Sequence, residues 1–142
     1  MVRALWLVAA VTMLSAGCGG SGLAPVRGQL VYPDGKPANE LVGCTVVFEA
    51  TGADGKSVGA VGEVDAEGRF ELTTNKPGDG APVGTNKVSL NPRWRGQSER
   101  PDPLPVLDKY ANASTSELTV EVKAGPNDVQ ITVELKPGKP RK

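Results

Sequence analysis

The chain has 142 residues, a length that suits one domain, and its 16 basic side chains balance 16 acidic ones. This neutral overall charge gives no indication of a nucleic-acid partner. The sequence has no histidine, which excludes His-dependent catalytic triads and His-based zinc sites and leaves carboxylate- or lysine-based catalysis formally open.

The first 17 residues have the pattern of a secretory signal peptide. Arg3 supplies a positive charge, residues 4–14 are apolar except for Thr12, and small residues precede Cys18. The apolar run is shorter than the roughly 20 residues that a membrane-spanning helix needs. We therefore interpret residues 1–17 as a cleaved signal peptide.

The sequence L-S-A-G-C, which ends at Cys18, resembles the lipobox of bacterial lipoproteins, although Ser15 stands where that family prefers leucine. The resemblance implies a covalent lipid of several acyl chains on Cys18, which anchors a protein stably, and no other cofactor. Residues 18–24 then form a lipidated cysteine and a glycine-rich tether. Gly19, rather than Asp, after the cysteine favours the outer membrane or the periplasmic face. An ordinary signal peptide with an incidental cysteine is the alternative.

Residues 25–135 alternate short strands with Gly-, Asp- and Pro-rich turns, and no segment has a helical period. Seven strands at this spacing predict an all-β fold, a seven-stranded antiparallel β-sandwich. The last two strands, around residues 118–122 and 129–135, are predicted to form a hairpin. Residues 136–142 form a basic tail that we expect to be disordered. The alternating residues predicted to share one face of each strand are Val26, Gly28, Leu30 and Tyr32; Cys44, Val46 and Phe48; Phe70, Leu72 and Thr74; Val88 and Leu90; Leu118, Val120 and Val122; and Val129, Ile131, Val133 and Leu135.

The alternating pattern stops between residues 91 and 115, where four prolines prevent pairing as a central strand. This stretch contains the best candidate contact surface, because tryptophan and arginine are enriched in binding hot spots. A tryptophan that merely covers the edge of the sandwich, with solvated arginines, is the alternative. The candidate residues are Arg93, Trp94, Arg95 and Arg100.

The acidic residues of the turns admit two interpretations. Several of them could supply oxygen ligands to calcium, but none has dense D-x-D-x-D spacing, and Asp before Gly is ordinary turn chemistry. The loop N-K-P-G-D-G-A-P-V-G over residues 75–84 is interpreted as a rigid connector in which Asp79 binds loop amides. A phosphate loop is excluded because a strand, not a helix, follows the glycines. The lone thiol of Cys44 is expected in the core.

Five segments taken in order resemble the carboxypeptidase regulatory-like domain, a transthyretin-like β-sandwich of small bacterial lipoproteins. The five segments are V-R-G-Q-L-V-Y-P-D-G-K-P, C-T-V-V-F-E, V-D-A-E-G-R-F-E-L-T-T, P-G-D-G-A-P-V-G-T-N-K-V and K-Y-A-N-A-S-T-S-E-L-T-V-E-V. The resemblance covers residues 25–135 and implies a prealbumin-like sandwich without enzymatic activity. Asn86 departs from the family, which usually has an aromatic residue there.

These observations predict a membrane-anchored bacterial lipoprotein whose non-catalytic β-sandwich has a structural or protein-binding role in the cell envelope. The expected partners are the membrane, through the lipid, and envelope proteins or glycans, with no nucleic acid. A calcium- or carbohydrate-binding envelope module is the alternative. The related hydrolase of 5-hydroxyisourate is excluded, because it relies on histidines and a C-terminal Tyr-Arg-Gly-Ser that this chain lacks.

Overall fold

The computed structural model describes residues 22–52, 54–94, 96 and 100–138, and this part of the chain is all-β, as predicted. Two short 3₁₀ turns, Asn39–Leu41 and Asp108–Ala111, complete its regular structure, and the described residues include no α-helix. The strands are β1 (Leu23–Ala24), β2 (Val26–Val31), β3 (Thr45–Thr51), β4 (Ser57–Glu63), β5 (Arg69–Glu71), β6 (Ala81–Pro82), β7 (Gly84–Asn91), β8 (Leu118–Val122) and β9 (Asn127–Thr132).

The strands form two main sheets and one small ribbon. The larger sheet has the order β4-β3-β7-β8, and every pair in it is antiparallel. The smaller sheet has the order β5-β2-β9, and β1 pairs with β6 in a separate two-stranded ribbon. The sequence did not predict β1 and β6, which have two residues each and therefore leave no alternating pattern to detect.

Two predictions are wrong: that the sandwich is antiparallel throughout, and that its last two strands form a hairpin. Strand β2 runs antiparallel to β5 but parallel to β9, so the fold is not purely antiparallel. The predicted hairpin of the last two strands does not form either, because β8 pairs with β7 in one sheet and β9 with β2 in the other. The side chain of Asn127 fixes this crossover: it binds the backbone of Lys123 at both N and O, and the carbonyl oxygens of Gly125 and Pro25.

Side chains from both main sheets share one hydrophobic core. Phe48 on β3 and Phe70 on β5 meet there, with their ring centroids 6.2 Å apart. Each buried side chain of this size contributes about 1.5–3 kcal/mol of transfer free energy. Thirteen of the residues predicted to share these faces are buried, while Gly28, Thr74, Leu118, Val120, Val129 and Leu135 are half-buried. Successive side chains of a strand face opposite sides of the sheet, and one side faces the core.

Strand β7 separates two ends of the domain. Strand β1 pairs with β6, so Gly22 and Leu23 lie beside Val83 and Pro82, just before β7 begins at Gly84. Strand β7 has eight residues and spans roughly 27 Å. We call the end at which β7 begins the tether end, and the end at which it finishes, at Asn91, the far end.

Candidate binding surfaces

Cys18, the predicted lipidation site, lies outside the described residues, as does the signal peptide over residues 1–17. The described chain begins at Gly22, whose carbonyl oxygen accepts the amide of Val83 at 2.8 Å. This contact fixes the position from which a lipid tether would leave the domain. No helix in the described part of the chain is long and apolar enough to cross a membrane.

The predicted contact surface lies on the loop that follows β7 at the far end. Trp94 is 66% exposed, and Arg93 and Arg100 are also exposed, while Arg95 lies outside the described residues. The base of the loop is closed by the amide of Asp102, which donates to the carbonyl oxygen of Arg93 at 3.1 Å. The indole is therefore presented to solvent from a loop whose two ends are joined.

Gly43 and Arg93 pack closely at the base of this loop. Gly43 has φ +81°, and a Cβ added to it would lie 2.7 Å from Cδ of Arg93. A side chain at position 43 would therefore displace the arginine. The neighbouring Val42 is 40% exposed. The far end thus carries two exposed apolar residues, Val42 and Trp94, near the Arg93 side chain.

Cys44 is a core residue, as predicted, with 5% of its surface exposed. Burial raises the pKa of its thiol above the ordinary value, and the backbone amide and the charge of Arg93 offset part of this rise. A thiol that is both buried and protonated is a poor nucleophile. The geometry therefore gives Cys44 a packing role.

The aspartates of the turns bind their own backbone. Oδ1 of Asp34 accepts the amide of Lys36, and Oδ1 of Asp54 accepts that of Lys56. Asp65 accepts two amides at 2.8 Å, one of them from Arg69, in the turn that leads into the buried Phe70. In the parts of the chain that the structure covers, no three acidic or cysteine side chains come together as metal ligands.

The glycine-rich loop after β5 is a connector, as predicted from its sequence. Asp79 accepts the amide of Thr74 at 2.7 Å and those of Asn75 and Lys76 at 2.9 Å each. These three donors, the Thr74 amide above all, lower the pKa of the Asp79 carboxyl. Gly80 closes the loop through its amide, which donates to the carbonyl oxygen of Leu72.

A polar cleft of about 710 Å³ lies on the smaller sheet, and sequence reasoning missed it. Two cross-strand rows line it, because Arg27 pairs with Glu71 and Asp128, and Gln29 pairs with Arg69 and Gln130. The alternation of polar residues along β2 and β9 is visible in the sequence. Their assembly depends on the parallel pairing of these two strands, which are separated by about a hundred residues.

Two contacts hold the side chains of the cleft in place. Nε of Arg27 lies 3.3 Å from a carboxylate oxygen of Glu71, and both side chains remain at least half exposed. Nε2 of Gln29 donates to the carbonyl oxygen of Glu67 at 3.0 Å, in the turn between β4 and β5. The cleft therefore has ordered polar groups that are still open to a ligand.

No protein-family model matches the chain, and no curated protein and no solved structure matches it either.

Proposed function

We propose that this protein is a lipid-anchored, non-catalytic binding domain of the bacterial cell envelope. Its fold would be a transthyretin-like β-sandwich of the carboxypeptidase regulatory-like type. Support comes from two sheets that share one hydrophobic core, and from the lipobox-like sequence that ends at Cys18.

The exposure of Trp94 carries the binding part of this proposal. A large aromatic side chain that is 66% exposed gains free energy when a partner covers it. Tryptophan and arginine also dominate the residues whose removal weakens protein interfaces. Arg93 and Arg100 lie on the same loop, so the surface combines an apolar anchor with cationic groups.

The position of the tether suits a partner away from the anchoring membrane. The five residues from Cys18 to Gly22 span at most about 18 Å when fully extended. A lipid on Cys18 would therefore hold the tether end close to the bilayer. Trp94 follows the opposite end of β7 and would face the periplasm or the surroundings of the cell. We therefore favour an envelope protein as the partner.

The calcium alternative has less support. The carboxylates of Asp34, Asp54, Asp65 and Asp79 each accept at least one backbone amide. A metal ion would have to compete with these bonds and would need several oxygen ligands at one point. The carbohydrate alternative concerns a different surface, the polar cleft.

Two experiments test the two halves of the proposal. Cys18→Ser should release the protein from the membrane fraction, and continued sedimentation with membranes would contradict the anchor. A photo-crosslinking amino acid at position 94 should capture an envelope protein in cells. The matched control places it at position 83, because Val83 is also exposed but lies at the tether end. Equal capture from both positions, or from neither, would contradict binding through Trp94.

A further inference from the structure

The polar cleft on the smaller sheet offers hydrogen-bond donors and acceptors in two parallel rows. Glu71, Arg27 and Asp128 form one row across the three strands, and Arg69, Gln29 and Gln130 form the other. Neighbouring strands lie about 4.8 Å apart, and successive side chains on one face of a strand lie roughly 6.7 Å apart. The six side chains thus form a grid whose spacing matches a ligand with polar groups along its whole length.

Each row mixes donors with acceptors. Arginine only donates and a carboxylate only accepts, whereas a glutamine amide does both. A sugar hydroxyl likewise donates one hydrogen bond and accepts others. A ligand with many hydroxyl groups therefore finds a complementary partner at every position of the grid, which a purely apolar or purely anionic ligand does not.

The floor of the cleft packs closely against the core on the other side of the sheet. Gly28 lies between Phe70 and Val129 in the row that separates the two polar rows, and all three residues line the cleft. A Cβ at position 28 would lie 2.3 Å from Cζ of Phe70 and 2.8 Å from Cγ2 of Val129. Because Gly28 has no side chain, Phe70 and Val129 can pack directly against the backbone of β2. Both side chains lie on the core side of the sheet, where Phe70 meets Phe48, so the two polar rows stand on a floor of sheet backbone.

The charges of the cleft argue against an anion as ligand. Carboxylates outnumber the two arginines among the lining residues, which disfavours a phosphate or another anion. Arg27 occupies the middle of its row, so a lysine or arginine of a basic peptide would meet a like charge there. A neutral ligand avoids both repulsions.

We infer that this cleft binds a neutral oligosaccharide. Its volume of about 710 Å³ lies within the range of about 300–1,000 Å³ that small-molecule sites occupy. This function goes beyond the contact surface at Trp94 and does not depend on it, because the two sites use different residues. A domain with both would hold a glycan on its side and a protein at its far end.

The test is a calorimetric titration of the full lipidated chain in a sugar-free zwitterionic detergent. The probes are three neutral tetrasaccharides: chitotetraose, cellotetraose and maltotetraose. At least one should bind, and Arg27→Ala and Gln130→Ala should each weaken its binding by about tenfold, the usual effect of losing a hydrogen bond to a charged group or several neutral ones. Both side chains are exposed, so neither change disturbs the core.

The matched controls are Lys87→Ala, an exposed strand position on the larger sheet, and Trp94→Ala. Both should bind the same tetrasaccharide as the unchanged chain does. Absence of heat with all three probes at millimolar concentration would overturn the inference. So would equal affinity of the Arg27→Ala variant, or binding of tetralysine in place of the sugars. Loss of sugar binding in Trp94→Ala would overturn the placement in the cleft.

Discussion

Asp79 accepts the backbone amide of Thr74 at 2.7 Å, and this bond joins the residue before the glycine-rich loop to the middle of that loop. The same carboxylate also accepts the amides of Asn75 and Lys76. Loop amides that face one carboxylate cannot also bind an external anion. The loop that most resembles a ligand-binding element in the sequence is therefore closed by its own side chain.

The first prediction concerns Asp79→Asn. The asparagine NH₂ group replaces the oxygen that accepts the amides of Asn75 and Lys76, so donors would face donors and the midpoint of thermal unfolding should fall at pH 7. The folded-state pKa of Asp79 is lowered, chiefly by the Thr74 amide. The carboxylate therefore stabilises the fold above the unfolded-state pKa of about 3.9, and this contribution is lost as the pH falls through the folded-state value.

Unfolding followed by circular dichroism from pH 7 to pH 2 checks this prediction. The difference between the unchanged chain and Asp79→Asn should be largest near neutrality and should shrink below about pH 4. Asp54→Asn is the matched control, because Oδ1 of Asp54 accepts the single amide of Lys56. A loss as large in Asp54→Asn would contradict the special role of Asp79.

The second prediction concerns Gly80→Ala. Gly80 has φ +90°, and an added Cβ would lie 1.7 Å from the carbonyl oxygen of Ala24, where β1 leads into β2. The backbone conformation alone costs an alanine about 1–2 kcal/mol, and the clash adds to this. We expect a loss of more than about 3 kcal/mol in the free energy of unfolding, measured by urea denaturation.

Gly55→Ala separates the two effects. Gly55 has φ +77°, and a Cβ there meets no atom within 4 Å. This variant should therefore lose about 1 kcal/mol from backbone strain alone. Equal losses in the two variants would show that the contact between Gly80 and Ala24 does not limit stability.

Much of the fold follows from local sequence. The alternation of apolar and polar residues predicted the buried faces of the strands, and Asp-Gly sequences predicted the turns. Both features depend on residues that are close together in the chain. These features require no knowledge of which strands meet.

Strand pairing could not be predicted from the same signals. The turn after Val122 favours a hairpin of β8 and β9. The chain instead crosses to the other sheet, where β9 pairs with β2. The polar cleft depends on that parallel pairing, so its grid of side chains was invisible in the sequence. Trp94 was identified as a candidate by residue type, whereas its exposure depends on how the loop leaves β7.

The third prediction concerns the thiol of Cys44. Burial raises its pKa and blocks access, so a thiol reagent should label Cys44 of the native protein slowly at pH 8. Labelling should become fast in urea above the unfolding midpoint. Mass spectrometry of samples quenched at intervals measures both rates. Native-state labelling as fast as that of free cysteine would contradict a buried position.

The fourth prediction concerns the fluorescence of Trp94, which is the only tryptophan after residue 17. Because 66% of its surface is exposed, a chain that lacks residues 1–17 should emit at long wavelength and acrylamide should quench it efficiently. Binding of a partner to the unchanged chain should shift the emission to shorter wavelength and reduce the quenching. A blue-shifted, protected signal in the isolated protein would mean that the loop buries the indole against the domain.

The last prediction concerns Asn86, a fully buried polar residue on β7. Its Nδ2 donates to the carbonyl oxygens of Pro82 and Gly84, so it fills the expected aromatic position by binding the chain just before it. Its Oδ1 is the one buried side-chain oxygen or nitrogen within the described residues that lacks a hydrogen-bond partner. Asparagine therefore satisfies two backbone acceptors and leaves one atom of its own unsatisfied.

Asn86→Asp keeps the shape, removes both donors and places a buried charge against two carbonyl oxygens. We expect a loss of about 3–5 kcal/mol at pH 7, the usual result of an uncompensated buried charge. Burial raises the folded-state pKa of such a carboxyl above the unfolded value of about 3.9, so the destabilisation should lessen as the pH falls from 7 toward 4. Asn86→Ala should lose about 1–3 kcal/mol without this relief at low pH. Parallel pH profiles for the two variants in urea denaturation would contradict the buried position of this side chain.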